Sequence, residues 1–194
     1  MKYKTLTGSD SERLSEYIIT NLTPFRLGIL LCLNTGLRLG EICALQWRDI
    51  SCDDHCLYVR QTMRRIRHLN KENPPAEPPF IEPKISASIR RILLPDNLIK
   101  ILIRCREEEE AFLLTGSAND YMEPRRVQSE FRALLKECGI PEVNFHTLRY
   151  TFAEECQKAG TDFQSLNQML GIAAGDAMID RYWRPSTADK HRPK

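Results

Sequence analysis
Residues 144–160, NFHTLRYTFAEECQKAG, decide how this chain is read. Phe145, Leu148 and Phe152 recur at helical spacing and Gly160 closes the pattern. The spacing predicts a helix over 146–159. His146 and Arg149 stand three positions apart, so they share one face of that helix, among apolar neighbours. Two polar side chains placed in this way are either a solvated stripe or are aimed together at something negative.

Working outward, the elements come in a readable order. Ser9 and Asp10 read as the cap of a first helix with Leu14, Tyr17 and Ile18 on its inner face. Thr23-Pro24 opens a second, strongly apolar helix that stops near Asn34-Thr35-Gly36, and residues 38–45 read as a short third helix. A strand is predicted around residues 56–63. The run HLNKENPPAEPPF (68–80), with four prolines and no periodicity, reads as a loop or hairpin tip. FIEPK (80–84) and SIRRILLP (88–95) read as two further strands, joined by a turn near 85–87. Helices resume with Asp96 as the cap of NLIKILIRCREEEE. A short extended segment, FLLTG (112–116), follows. Then come a helix from Pro124 stopped by Gly139, the 146–159 helix, a helix over 162–170 between Asp162 and Gly171, and a last short helix over 176–183. The expected fold class is mainly α (α+β), with a small three-stranded antiparallel sheet.

Length and composition fit one domain spanning 1–194. A hydrophobic content of 42% suffices for a core, and the longest apolar run, LGILLCLNTGL (27–37), is interrupted by Asn34 and Gly36 and is too short to span a bilayer. The start, MKYKTLTGSDSERL, lacks the apolar centre of a signal peptide. Seven cysteines, odd in number and without a CxxC pair, read as free thiols of a reducing cytoplasm rather than disulfides or a metal site. The net charge is only +2, but it is unevenly spread. VRQTMRRIRHLNK (59–71) holds Arg60, Arg64, Arg65, Arg67 and Lys71 without one acid, and Arg90, Arg125 and Arg126 add basic pairs, whereas acids gather at 107–110. Both a solvated face and a face that holds a polyanion fit this distribution.

Candidate chemistry lies in four separated places. In NTGLRLGEICALQW (34–47), Arg38 and Glu41 are three apart and follow a glycine that lets the backbone turn; alone, they also fit a surface ion pair. In HTLR (146–149), an imidazole and a guanidinium can grip one phosphate. Lys84 ends a strand just before a hairpin turn, from which it can reach into a groove. Tyr182 stands between Arg181 and Arg184, in a positive local field, or simply packs the last helix.

The order and wording of these segments resemble the tyrosine recombinases, the phage-integrase type of site-specific recombinase, and most of all the integrases of conjugative transposons of Gram-positive bacteria. TGLRLGEICALQWRDI is similar to that family's first arginine box, EPKISASIRRILLP to its β-hairpin lysine segment, NFHTLRYTFAEECQKAGTDFQSLNQMLG to its His-x-x-Arg box with the following helix, and MIDRYWRPS to its nucleophile box. The resemblance covers about residues 5–187. It implies a DNA-cleaving and DNA-rejoining domain that works through a 3′-phosphotyrosyl intermediate without cofactor or metal. Tyr182 is then the nucleophile, Arg38 and Arg149 the phosphate-binding pair, Lys84 the proton donor to the leaving 5′-oxygen, His146 the partner of the tyrosine proton, and Glu41 a support for Arg38. Arg60, Arg64, Arg65, Arg67, Arg90, Arg125 and Arg126 are the expected DNA contacts.

The chain also departs from the family pattern. Ile172 stands where relatives place a histidine that donates to the phosphate, Tyr150 follows the second arginine where histidine is usual, and Arg184 replaces a histidine two positions after the tyrosine. A weakened enzyme, a DNA-binding remnant without turnover, and a type IB topoisomerase-like strand transferase are the alternatives this leaves. The resemblance further implies that double-stranded DNA is the partner, that the chain is a monomer alone while its full-length relatives are tetramers on DNA, and that it resides in the bacterial cytoplasm with the nucleoid. It also implies that N-terminal core-binding and arm-binding domains are absent here and that 185–194 is a flexible tail.

Overall fold
The computed structural model describes residues 4–63, 80–81, 88–173 and 182–183. Among the described residues, seven helices, a 3₁₀ turn and five short strands follow one another: α1 (Gly8–Thr20), α2 (Pro24–Thr35), α3 (Leu39–Ala44), the turn Trp47–Asp49, β1 (Ile50–Ser51), β2 (Cys56–Val59), β3 (Thr62–Met63), β4 (Phe80–Ile81), β5 (Arg90–Leu93), α4 (Asp96–Arg104), α5 (Pro124–Glu137), α6 (Thr147–Lys158) and α7 (Phe163–Leu170). The architecture is mainly helical with small antiparallel sheets, as the sequence implies.

Helix α2 is the core element. Thr23 Oγ1 accepts the Arg26 N–H, Pro24 presets the first turn, and nine of its twelve residues are buried. Helices α1 and α6 pack against it, inserting Leu14, Ile18 and Leu148, each with no exposed surface. The helix ends at Gly36, whose φ of +64° is the left-handed conformation that side chains resist. A Cβ at that glycine would also lie 2.6 Å from Phe152 Cδ1. Gly36 therefore brings α2 and α6 into contact just where the site begins. Gly40 does the same for α3, since a Cβ there would meet Met63 O at 2.8 Å.

The sheets differ from the expected one. The three-stranded sheet has the order β1-β2-β5, and a separate two-stranded ladder joins β3 to β4. The predicted strand over 56–63 breaks after Val59, so its two halves enter different sheets. Strand β1 was not foreseen, because two residues carry no period. Helix α1 is capped by Thr7, whose Oγ1 accepts the Asp10 N–H at 3.1 Å, rather than by Ser9 or Asp10. Helix α4 stops at Arg104 and does not run on through the four adjacent glutamates, which would repel one another and oppose the negative helix end. FLLTG is a turn rather than a strand: only Phe112 bridges, to Gln46 and Ser117. The 162–170 helix is realised with Asp162 and Gly171 at its ends. The turn near 85–87 and all but the last two residues of the 176–183 helix lie outside the described residues.

All seven cysteines are free thiols, and no helix among the described residues is long and apolar enough to cross a membrane. Burial pushes the Cys43 thiol up to about 12 and that of Cys156 to about 11, so both behave as apolar side chains at neutral pH.

Candidate active site
Helix α7 points its C-terminal end at the start of α3 and α6, and the site forms there. A helix C-terminus exposes carbonyls that lack intrahelical partners and carry partial negative charge. Three consecutive carbonyls at this end each accept from a different arginine. Met169 O accepts from Arg90 Nε at 2.8 Å, Leu170 O from Arg149 Nη2 at 2.6 Å, and Gly171 O from Arg38 Nη2 at 2.9 Å. Three guanidiniums from β5, α6 and the start of α3 are thereby gathered on one helix end.

Arg149 is the most buried of the three, at 1% exposure. Its Nη1 donates to Gly36 O at 2.6 Å and its Nε to Tyr182 Oη at 3.2 Å. Burial, then the charge of Arg38, lower it to about 10 against the opposing pull of Tyr182 and Glu41, so it stays protonated at neutral pH. His146, which occupies the N-cap position of α6 rather than its first turn, places Nε2 2.7 Å from the same Tyr182 oxygen. The phenol oxygen of Tyr182 thus lies between an imidazole and a guanidinium supplied by residues three apart.

Arg38 and Glu41 are not a surface pair. Glu41 is 3% exposed and accepts from Arg38 Nη1 at 2.8 Å, from the Arg38 backbone N–H at 2.8 Å, and from Arg90 Nη1 and Nη2 at 2.9 Å each. Burial alone would raise the Glu41 carboxyl, but hydrogen bonds from Arg90 and the charges of Arg90, Arg38 and Arg149 outweigh it and hold it at about 2. Because this lies below the ordinary value of 4.5, the stabilisation is fully present above pH 4.5 and is lost as pH falls towards 2. It amounts to roughly 3 kcal/mol. Denaturant titrations between pH 5 and 2 should therefore show a steeper loss of stability in the wild type than in Glu41→Gln. Equal slopes would contradict the pairing.

One buried carboxylate faces three guanidiniums here, so the cluster carries two excess positive charges. Buried charge without a partner is costly, and an anion is the natural complement. Arg38, whose side chain is 30% exposed, is the guanidinium most open to it.

Tyr182 and Trp183 are both held by contacts with α6 and α7. Tyr182 is 6% exposed and packs in a cluster with Phe152, Ala153, Leu166, Leu170 and Ile172. Gln157 Nε2 donates to Tyr182 O at 2.5 Å, and the Trp183 ring meets Phe163 edge-on at 5.3 Å. Tyr150 lies against both rings, 4.8 Å from His146 and 5.1 Å from Tyr182. Neither Gln157 nor the Leu170 and Gly171 carbonyls were legible as site groups, since a backbone acceptor has no sequence signature.

Of the sequence-predicted residues, Arg38, Glu41, His146, Arg149 and Tyr182 are brought together. Ile172 sits beside them as a buried apolar side chain at 6% exposure. Lys84, Arg184, Arg64, Arg65 and Arg67 lie outside the described residues. Arg125 is exposed on α5; Arg126 is also exposed but tied to Glu130 at 2.8 Å. Arg60 is half-exposed, pairs with Asp49 at 3.1 Å and covers the Tyr58 ring at 4.8 Å. Arg90 corrects the expectation of an outward DNA contact: its side chain is 5% exposed and turned onto Glu41. The signal was present, since Arg90 lies two residues before buried Ile92 and therefore on the same face of β5.

The model of the phage integrase family matches residues 4–188. The chain belongs to the phage integrase family. Among curated relatives of this family, a XerC-like tyrosine recombinase of Caldanaerobacter subterraneus subsp. tengcongensis is 25% identical over 159 residues, 73% of this chain and 41% of the relative. The ICEBs1 integrase of Bacillus subtilis is 28% identical over 162 residues, 76% and 41%. The XerA tyrosine recombinase of Pyrococcus furiosus is 26% identical over 174 residues, 88% and 54%. The chain thus spans about half the length of the curated relatives it matches. Its fold is also that of the Tn1549 transposon integrase solved in complex with transposon right end DNA, at a TM-score of 0.74 and 20% identity over 95% of this chain and 62% of that one. The crystal structure of XerA recombinase gives 0.71 at 20%, over 96% and 62%.

Proposed function
We propose that this phage integrase family chain is the catalytic domain of a site-specific DNA recombinase, cutting and rejoining strands of a double-stranded recombination site through a 3′-phosphotyrosyl bond. The observation that carries this reading is the Tyr182 oxygen, held 2.7 Å from His146 Nε2 and 3.2 Å from Arg149 Nε beside two excess positive charges. In the cleavage step the Tyr182 oxygen forms a bond to phosphorus and the bond from phosphorus to the 5′-oxygen breaks. The phenol proton passes to His146 Nε2, and Lys84 protonates the departing 5′-oxygen. Arg38 and Arg149 neutralise the non-bridging oxygens as charge gathers on them. The ester conserves the energy of the broken bond, so resealing to a partner strand needs no nucleotide cofactor. Arg60, Arg125 and Arg126, with the basic run through Arg64, Arg65 and Arg67, would bear on the DNA backbone, so binding should weaken steeply with salt.

The test is incubation with a nicked duplex whose cleavage releases a short strand that cannot religate. A protein–DNA adduct stable to denaturant is expected; its absence, with binding intact, favours a second reading, a DNA-binding domain that does not turn over. Ile172 motivates that second reading, because an apolar side chain in the tyrosine cluster cannot donate to a phosphate. Losing one preorganised donor costs about 10²–10³ in rate. Ile172→His is therefore expected to raise cleavage by about tenfold or more while lowering stability by about 1–2 kcal/mol for the buried imidazole. Single-turnover rates and thermal unfolding check both; unchanged cleavage would remove the missing-donor argument.

A further inference from the structure
We propose that Arg90 is a positioning residue for Arg38, acting through Glu41 and the end of α7; this rests on the recombinase reading above. Arg90 donates both terminal nitrogens to Glu41, one to each carboxylate oxygen, at 2.9 Å. Those same two oxygens receive the Arg38 side chain and the Arg38 backbone N–H. Four hydrogen bonds thus fix one carboxylate, and half of them come from Arg90. Its Nε on Met169 O and its Nη1 on Ser88 O, at 3.1 Å, join β5 to the helix end whose next two carbonyls hold Arg149 and Arg38. A guanidinium is needed for this: lysine is a point donor and cannot span a carboxylate and a carbonyl at once. With Arg90 gone, a 3%-exposed carboxylate keeps its burial cost and loses its main partner. Arg38 then loses a fixed anchor beside the phosphate, and misplacement on the scale of 1 Å can cost about 100-fold in rate.

The experiment measures single-turnover cleavage of the nicked duplex, the Kd for the same DNA, and thermal unfolding, for wild type, Arg90→Met, Arg90→Lys, Arg38→Ala and Arg38→Ala/Arg90→Met. Cleavage is expected to fall about 10–100-fold in Arg90→Met and less in Arg90→Lys, with Kd within about twofold of wild type. The double variant should cleave no more slowly than Arg38→Ala, since the two residues act through one contact. The acid limb of the Arg90→Met rate profile should move up by at least about one pH unit, as Glu41 takes a proton more readily. Two results would overturn the proposal. One is a folded fraction of the Arg90 variants that cleaves within about twofold of wild type. The other is losses that multiply in the double variant, which mark an independent or merely structural role. Should Arg90→Met not fold, Arg90→Lys in the same cycle decides the matter. A wild type that forms no adduct would instead sink the recombinase reading itself, which keeps the two failures apart.

Discussion

Tyr182→Phe is expected to abolish the protein–DNA adduct, lowering cleavage by about 10⁴-fold or more, the scale on which removing a nucleophile acts. The substitution deletes one oxygen and little else. The ring keeps its packing against Phe152, Leu166, Leu170 and Ile172 and its 5.1 Å contact with Tyr150. Arg149 Nε loses its acceptor and His146 Nε2 its hydroxyl partner, which should cost about 1–3 kcal/mol of stability. DNA binding should survive, because the guanidiniums remain. Adduct yield on the nicked duplex, read beside Kd, separates the two effects. Loss of binding together with cleavage would mean that Tyr182 organises the pocket instead of reacting in it.

Arg149→Met should damage both activity and fold. Arg149 bridges the ends of two helices and the tyrosine, through Gly36 O, Leu170 O and Tyr182 Oη. Removing it leaves those groups without a donor in a closed environment, while relieving the cost of a buried charge. The net loss should be roughly 2–4 kcal/mol, or about 5–15 °C in Tm for a domain of this size. Cleavage should fall by about 10²–10³-fold as one cationic support of the transition state disappears. Arg149→Lys separates the two contributions: it keeps the charge but cannot reach three acceptors, so it should recover part of the activity and little of the stability. Differential scanning calorimetry and single-turnover cleavage test this. A variant as stable as wild type would show that the carbonyl cradle does not depend on Arg149.

Helices α2 and α7 were legible from their periods and end signals: α2 from its apolar run with Thr23-Pro24 and Gly36, α7 from Asp162 and Gly171. Strands of two to four residues hold too few alternations to fix a register. The sheet was therefore expected, but its partners were not. The resemblance drew attention to Arg38, Glu41, His146, Arg149 and Tyr182, and the fold brings these five together. What the residues alone could not supply was the reason they converge. Three successive backbone carbonyls at the end of α7 do that, and any sequence offers carbonyls there. In the sequence Arg90 reads as one of a basic pair, but the alternation of β5, with Arg90 and Ile92 on one face, places it inside.

The most direct test of the central claim is peptide mapping of the adduct trapped on the nicked duplex. After nuclease and protease digestion, mass spectrometry should find a nucleotide remnant on the peptide that contains Tyr182, attached through the tyrosine oxygen to a 3′-phosphate. Attachment at any other residue, Tyr150 included, or through a 5′-phosphate, would contradict the account.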